Sequence, residues 1–226
     1  METQTNIKWF TLLLSGIAGY CDTATFIAGN GTFSAHVTGN FIIFAAQAVL
    51  GADPTAWVKL ITFPVFIIAV ISGGWLAAKT GKQYILLLIE GILLVLAGAA
   101  AFWLATDESG RYFVVMLTVF ALALQNTFGR LFPKETHGPT TMMTGNVTQA
   151  SLDLGNLLWK GPDSYRVKTD RLSLESIKRQ LVLVGGFLAG CLLGGLLAKW
   201  IGLQAVIVPV LTLAVFYFSR KGRCLS

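Results

Sequence analysis

The Asp22 carboxylate stands inside an otherwise uncharged apolar run at residues 9–28. An ionised carboxylate at the centre of a bilayer costs about 2.5 to 3.5 kcal/mol on insertion scales, so it must face a cavity, hold a proton or find a donor. Two interpretations have equal weight. Asp22 serves proton coupling or cation binding, or it accepts hydrogen bonds from Thr38 or Asn40 and fixes a break in a helix.

A Thr-Gly-Asn tripeptide occurs twice, as Thr38-Gly39-Asn40 and as Thr144-Gly145-Asn146. Each one opens a short apolar segment. Thr and Asn are good helix N-caps, and Gly permits close backbone approach. If each tripeptide begins a half-helix at membrane depth, its N–H groups and positive dipole end suit an anion. The alternative is capping and tight helix crossing without a ligand, and this alternative is slightly favoured.

The surroundings of the two tripeptides are also similar. The pair Asp22-Thr23 precedes the first by sixteen residues, and Asn126-Thr127 precedes the second by eighteen. This indicates a duplication within one membrane domain over residues 1–226, with repeat one at about 9–105 and repeat two at about 112–219. Three full spans per half give an inverted repeat, and four give a parallel one. The neutral Asn126 excludes a symmetric pair of carboxylates.

Other reactive residues have simpler interpretations. Glu90 is expected to reach the membrane surface or to pair with Lys82 or Lys79, and His36 and His137 are expected to be interfacial loop residues rather than pH-sensitive gates. No nucleophile–base arrangement, metal-ligand cluster or phosphate-cradling loop is apparent. The sequence therefore predicts no catalytic residue, no metal and no cofactor, and the protein is not expected to be an enzyme.

The elements that position these residues follow from composition. Only 12% of the 226 residues are charged, 54% are hydrophobic, and the mean hydropathy is +0.68. Soluble domains carry about a quarter charged residues, so lipid is the expected surrounding and an all-α integral membrane fold is predicted. About 20 apolar residues span a bilayer, and six strong spans qualify: 9–28, 60–78, 84–105, 112–129, 181–198 and 200–219.

Residues 37–52 and 138–152 are too short or too polar for simple spans and are expected to be re-entrant, although eight crossings stay open. With six spans and both termini in the cytoplasm, fourteen of the seventeen Lys and Arg residues lie inside, as the positive-inside rule requires. Residues 160–180 are then a cytoplasmic loop. Because the basic residues are dispersed between apolar runs, nucleic acid is not an expected partner.

Three glycines spaced four residues apart, Gly186, Gly190 and Gly194, form one stripe on a predicted helix. Such a stripe lets two helices approach closely. Packing within the chain is the default expectation, and the spacing also allows a homodimer.

The pattern of Gly19-x-x-Asp22, Gln125-Asn126 and the two Thr-Gly-Asn tripeptides resembles the YoaK family of bacterial membrane proteins. The resemblance covers nearly the whole chain. This chain has Thr23 and Thr127 where alanine is usual in that family. The resemblance implies location in the bacterial inner membrane, and it implies no reaction because the family's function is unknown.

The leading functional hypothesis is a small secondary transporter or permease for a small polar or anionic solute. The predicted substrate-binding residues lie between the two halves: Asp22, Thr38, Gly39, Asn40, Asn126, Thr144, Gly145 and Asn146. The competing hypothesis is a membrane scaffold or partner-binding subunit, in which the same polar residues are internal fasteners.

Overall fold

The computed structural model describes residues 2–51, 53–158 and 170–212, and their regular structure is helical. A 3₁₀ segment at Gly202–Ile207 follows the last helix, and helical residues 208–212 follow that segment. The helices are α1 (Glu2–Ala28), α2 (Gly39–Leu50), α3 (Val58–Thr80), α4 (Ile85–Leu104), α5 (Glu108–Leu131), α6 (Met143–Leu158) and α7 (Asp170–Ile201).

Five stretches are long and apolar enough to cross a membrane: Thr5–Ala28, Val58–Thr80, Ile85–Leu104, Glu108–Leu131 and Leu172–Thr212. They account for the first five predicted spans. A left-handed Gly202 (φ 66°) and the 3₁₀ segment interrupt the fifth stretch. The predicted sixth span, 200–219, begins at this break and runs beyond Thr212 out of the described residues, so it stays a prediction.

The outer surface is apolar. Large exposed side chains include Ile42 at 71% exposure, Trp103 at 74% and Trp200 at 79%. Soluble monomers rarely expose large contiguous apolar patches. A multi-pass membrane protein is the class of molecule that this surface fits.

α1 and α7 lie side by side and run in the same direction. A methyl group on Gly186, Gly190 or Gly194 would collide with the backbone of Leu12, Gly16 or Tyr20, respectively. The glycines are therefore needed for close backbone contact, and the predicted stripe packs within the chain.

α5 forms the other half of the core. It runs parallel to α3, because the Lys59 ammonium lies 5.8 Å from the centre of the Tyr112 ring near the start of both helices, while Gly73 contacts Leu124 near their ends. A short turn joins it to α4. Against α1 it is antiparallel, because the Phe10 and Phe128 rings stack edge to face at 6.0 Å while Gly29 backs onto Val115.

The segment that contains α2 begins and ends at the same end of the molecule. Asn30, before α2, and Thr55, after it, both donate to Glu108 Oε1, at 3.4 and 2.7 Å. The helix has 12 residues. With a rise of about 1.5 Å per residue, a helix of this length extends about 18 Å, well short of the roughly 30 Å of a bilayer core. A re-entrant segment at residues 37–52 stays a prediction.

α6 likewise connects two helix ends that lie on the same side of the molecule. α5 is antiparallel to α1 and α7 is parallel to it, so the end of α5 and the beginning of α7 both lie at the N-terminal end of α1. α7 begins at Asp170, within the stretch 160–180 that is predicted to be a cytoplasmic loop. Residues 159–169 lie outside the described residues.

Candidate functional site

Asp22 holds the loop that follows its own helix. Its Oδ1 accepts hydrogen bonds from the backbone N–H groups of Ser34 (2.9 Å), Ala35 (2.7 Å) and His36 (3.2 Å). Its Oδ2 lies 2.6 Å from Nδ1 of His36. The partners are therefore residues 34–36, and the expectation that Asp22 would accept from Thr38 or Asn40 is wrong.

These contacts draw the first loop, residues 29–38, back into the helix bundle. Asp22 is only 4% exposed and lies six residues before the end of α1, which is about 9 Å along the helix axis. We call residues 34–36 the first tip. Irregular backbone at this depth is tolerated only where protein or a water-filled cavity surrounds it, and Asp22 satisfies three of its N–H groups.

Asn40 ties the same loop to α3. Its Oδ1 accepts from the Phe33 N–H at 2.8 Å, and its Nδ2 donates to the Phe33 carbonyl at 2.9 Å and to Thr62 Oγ1 at 3.0 Å. Because the side chain is fully buried and both ends of its amide are used, Asn40 acts as a fastener between the loop and α3.

The start of α2 does not form the anion site that was the less favoured of the two interpretations. The N–H groups of Gly39, Asn40 and Phe41 already donate to the carbonyls of residues 36, 37 and 38. Thr38 is exposed, and its side chain makes no capping hydrogen bond. The expected cap is therefore absent, and Gly39 instead gives room to the Phe33 ring, which a Cβ there would approach to 3.0 Å.

Asn146 repeats part of this arrangement in the second half. Its Nδ2 donates to the carbonyl of Pro139 at 2.9 Å, seven residues earlier, which is the separation between Asn40 and Phe33. Thr144 and Gly145 are exposed within the first turn of α6, because the helix already begins at Met143. Thr144 is therefore inside the helix rather than at its N-cap.

Asn126 and its neighbour Gln125 hold the second loop, residues 132–142. Asn126 Nδ2 donates to Thr141 Oγ1 at 2.8 Å. Gln125 Nε2 donates to Thr140 Oγ1 at 2.9 Å and to the Leu14 carbonyl on α1 at 2.8 Å. Gln125 is fully buried and was not among the predicted site residues. A small cleft beside these residues has room for about one water molecule.

The two loops approach each other along α7. We call residues 137–141 the second tip. The His36 and Phe187 ring centroids are 5.5 Å apart, and a Cβ on Gly138 would come within 3.2 Å of Leu183 Cδ1. Leu183 and Phe187 are four residues apart, and residues at this spacing are neighbours on one helix face. Both tips therefore contact the same face of α7, one turn apart, although, within the described ranges, α2 contacts α3, α6 contacts α7, and α2 and α6 do not contact each other.

The two histidines have opposite electrostatic surroundings. The hydrogen bond that His36 donates to the Asp22 carboxylate raises the pKa of His36, and the Asp22 charge adds to this against the opposing effect of burial. Burial lowers the pKa of His137, with help from the positive charges of Arg179 and Lys8. The protonated form is thus favoured at the first tip and disfavoured at the second.

Replacing His36 by glutamine is expected to destabilise the protein more in acid than in alkali. A pKa that is raised by folding contributes stability below the unfolded-state value of about 6.5, and this contribution is lost as the pH rises through the folded-state pKa. The unfolding midpoint of wild type and H36Q in detergent, measured from pH 5 to 9, checks this. A difference that is constant or grows with pH would contradict it, and H137Q is the control.

Glu90 contradicts its predicted place at the membrane surface. The residue is 0% exposed, and neither carboxylate oxygen has a hydrogen-bond partner among the described residues. No ion pair to Lys82 or Lys79 forms in this part of the chain; the Lys79 ammonium instead lies 4.7 Å from the centre of the Trp75 ring. Nothing in the sequence pattern distinguished this buried carboxyl from one near the surface.

The described ranges contain no group of three or more His, Cys, Asp or Glu residues placed to hold a metal ion. Comparison with curated proteins and comparison with solved structures found no match. Residues 10–219 match the model of DUF1275, described as a protein family of unknown function. Because the match covers nearly the whole chain, the protein belongs to the DUF1275 family.

Proposed function

We propose that this protein is a small secondary transporter or permease, in which a small polar solute passes between the two loop tips. The observation that carries the proposal is the convergence of the tips at Leu183 and Phe187. In transporters, solute sites commonly lie near the midplane where helices are interrupted and two repeats meet. In this proposal the two apolar side chains form a barrier between the tips.

The packing supports an inverted repeat. α1 runs parallel to α7 as α3 does to α5, and each short helix packs on the span that follows it. Asp22 and Asn126 each hold a loop at depth, from opposite ends of the bundle. With residues 208–212 as the start of a sixth span, each half has three spans, and the second half enters the membrane in the opposite sense.

The proposed location is the bacterial inner membrane with both termini in the cytoplasm, as the narrower YoaK resemblance implies. The ends of α3 and α5 lie on the same side as the N-terminus of α1. Four basic residues follow or close these helices on that side: Lys79, Lys82, Arg130 and Lys134. An excess of Lys and Arg in short loops is typical of the cytoplasmic face.

Within this proposal, Asp22, Asn40, Asn126 and Asn146 position the tips, since they are engaged in internal hydrogen bonds. The side chain best placed to meet a solute is His36, which is 35% exposed and contacts the Phe187 ring. The occupied N–H groups at the start of α2 leave little support for an anion there. The proposed solute is therefore small, polar and hydrogen-bonding.

Replacing Phe187 by alanine is expected to increase solute flux, because it shortens the barrier between the tips. A fall of about 1.4 kcal/mol in the barrier corresponds to a roughly tenfold faster rate. Flux is measured in proteoliposomes of purified protein with a panel of labelled small polar solutes. Leu188→Ala is the matched control, since Leu188 is the next residue on α7 and is 59% exposed on its outer side.

Equal flux in F187A and L188A would refute the barrier. Flux unaffected by Asp22→Asn, which keeps an acceptor oxygen for the first tip, would refute the mechanism.

A scaffold or partner-binding subunit is the second candidate. The observation favouring it is that the side-chain polar atoms of Asp22 and Asn40 all form hydrogen bonds within the chain. A folded wild-type protein that gives no flux for any solute, and that co-purifies with a stoichiometric partner, would favour this alternative.

A further inference from the structure

Glu90 is a fully buried carboxyl in the core of the bundle. It lies five residues after the start of α4, and Leu86 and Leu94, one turn to either side, are also 0% exposed. Neither of its oxygens has a hydrogen-bond donor among the described residues. Asp22, by contrast, has four polar partners. The two intramembrane acids are therefore in different environments.

No positive charge in the described part of the chain compensates Glu90. Of the elements packed on α4, the 3₁₀ segment contains no titratable residue, and α5 carries its titratable groups near its ends. Lys79 of α3 lies over the Trp75 ring. On α1, the titratable group in electrostatic range of Glu90 is the Cys21 thiol, which is not a cation.

Glu90 thus has neither a hydrogen-bond donor nor a counter-charge among the described residues. An ionised carboxylate that is buried without a donor or a counter-charge is strongly unfavourable, and such a group takes up a proton instead. The neutral carboxyl also gains an O–H group that can donate.

We propose that Glu90 is a proton-binding site in the membrane core and is occupied by a proton at neutral pH. One proton is bound to a carboxylate oxygen and leaves to water only when the bundle opens and hydrates the carboxylate. The bound proton is independent of the transport proposal. Its use as the coupling ion rests on the proposed function, which Glu90 reaches through Cys21, the neighbour of Asp22 in the sequence and in electrostatic range of Glu90.

The test is infrared spectroscopy of purified wild-type protein in lipid at neutral pH. The expected result is a carboxylic C=O stretching band that shifts in D₂O and disappears in Glu90→Gln, while Asp22→Asn retains it. Labelling wild-type protein with ¹³C-glutamate gives an assignment that needs no variant, because only a glutamic acid band shifts. Absence of a glutamic acid band in the wild type would overturn the proposal.

A band that persists unchanged in Glu90→Gln would also overturn it. So would a band that is present in choline buffer and lost in sodium buffer, because Glu90 would then bind a metal cation. Coupling is tested separately in proteoliposomes, where Glu90→Gln is expected to abolish the response of flux to a pH gradient. A glutamic acid band without any flux keeps the proton site and refutes transport, so the two failures are distinguishable.

Discussion

Asp22→Ala is expected to abolish stable folding of this protein. The substitution removes the acceptor of three backbone N–H groups at the first tip and the partner of His36. Each buried donor left without a partner costs about 1–3 kcal/mol, and the sum is a large part of the roughly 5–15 kcal/mol that stabilises a typical domain. The measurement is the unfolding midpoint in detergent, with the folded yield from size-exclusion chromatography.

The second half supplies a matched control. Asn126→Ala removes one side-chain hydrogen bond, to Thr141, and is expected to cost about 1 kcal/mol. Asp22→Asn keeps an acceptor oxygen for the first tip and is expected to fall between the two alanine variants. If D22A were as stable as N126A, the carboxylate would not be the fastener of the first loop.

Gly190→Ala is expected to separate α1 from α7 and to destabilise the protein by about 3 kcal/mol or more, at or above the upper end of the cost of overpacking. The added methyl group would overlap the Gly16 backbone, carbonyl oxygen included, and backbone cannot move aside as a flexible side chain can. Gly185→Ala is the control on the same helix, since no atom lies within 4 Å of a Cβ at that position. Thermal unfolding in detergent measures both.

G185A is expected to match or slightly exceed the wild type, because alanine is favoured over glycine within helices. Equal stability of G190A and G185A would contradict the close contact between α1 and α7. A G190A protein with unchanged unfolding and a smaller oligomer would show that the stripe packs between chains. The mass of the protein in detergent therefore accompanies the stability measurement.

Much of the fold could be predicted because apolar runs directly report burial in lipid. The first five spans and the shortness of the two segments after α1 and α5 follow from length and composition. The sixth span lies partly beyond the described residues and stays a prediction. The boundaries of α6 and α7 were less predictable: Thr144 looked like an N-cap, yet the helix begins one residue earlier, and Asp170 begins a helix within a polar stretch.

The site could be predicted only in outline. An acid inside an apolar helix indicates that a partner is needed, but Asp22 finds backbone N–H groups, which every residue except proline carries and no pattern of letters reveals. The contact of His36 with Phe187 joins residues 151 positions apart, so no local spacing indicates it. Glu90 and Gln125 are polar residues in apolar helices, and only the packing separates a surface position from the core.

Part of what holds each loop comes from the other half of the chain. Glu108, on α5, accepts from residues at both ends of the segment that contains α2. Thr11, on α1, accepts from the His137 N–H of the second loop. During synthesis from the N-terminus, the segment that contains α2 is therefore made before Glu108, which binds both of its ends. Until α5 has been made, the first half of the chain therefore lacks the two hydrogen bonds to Glu108.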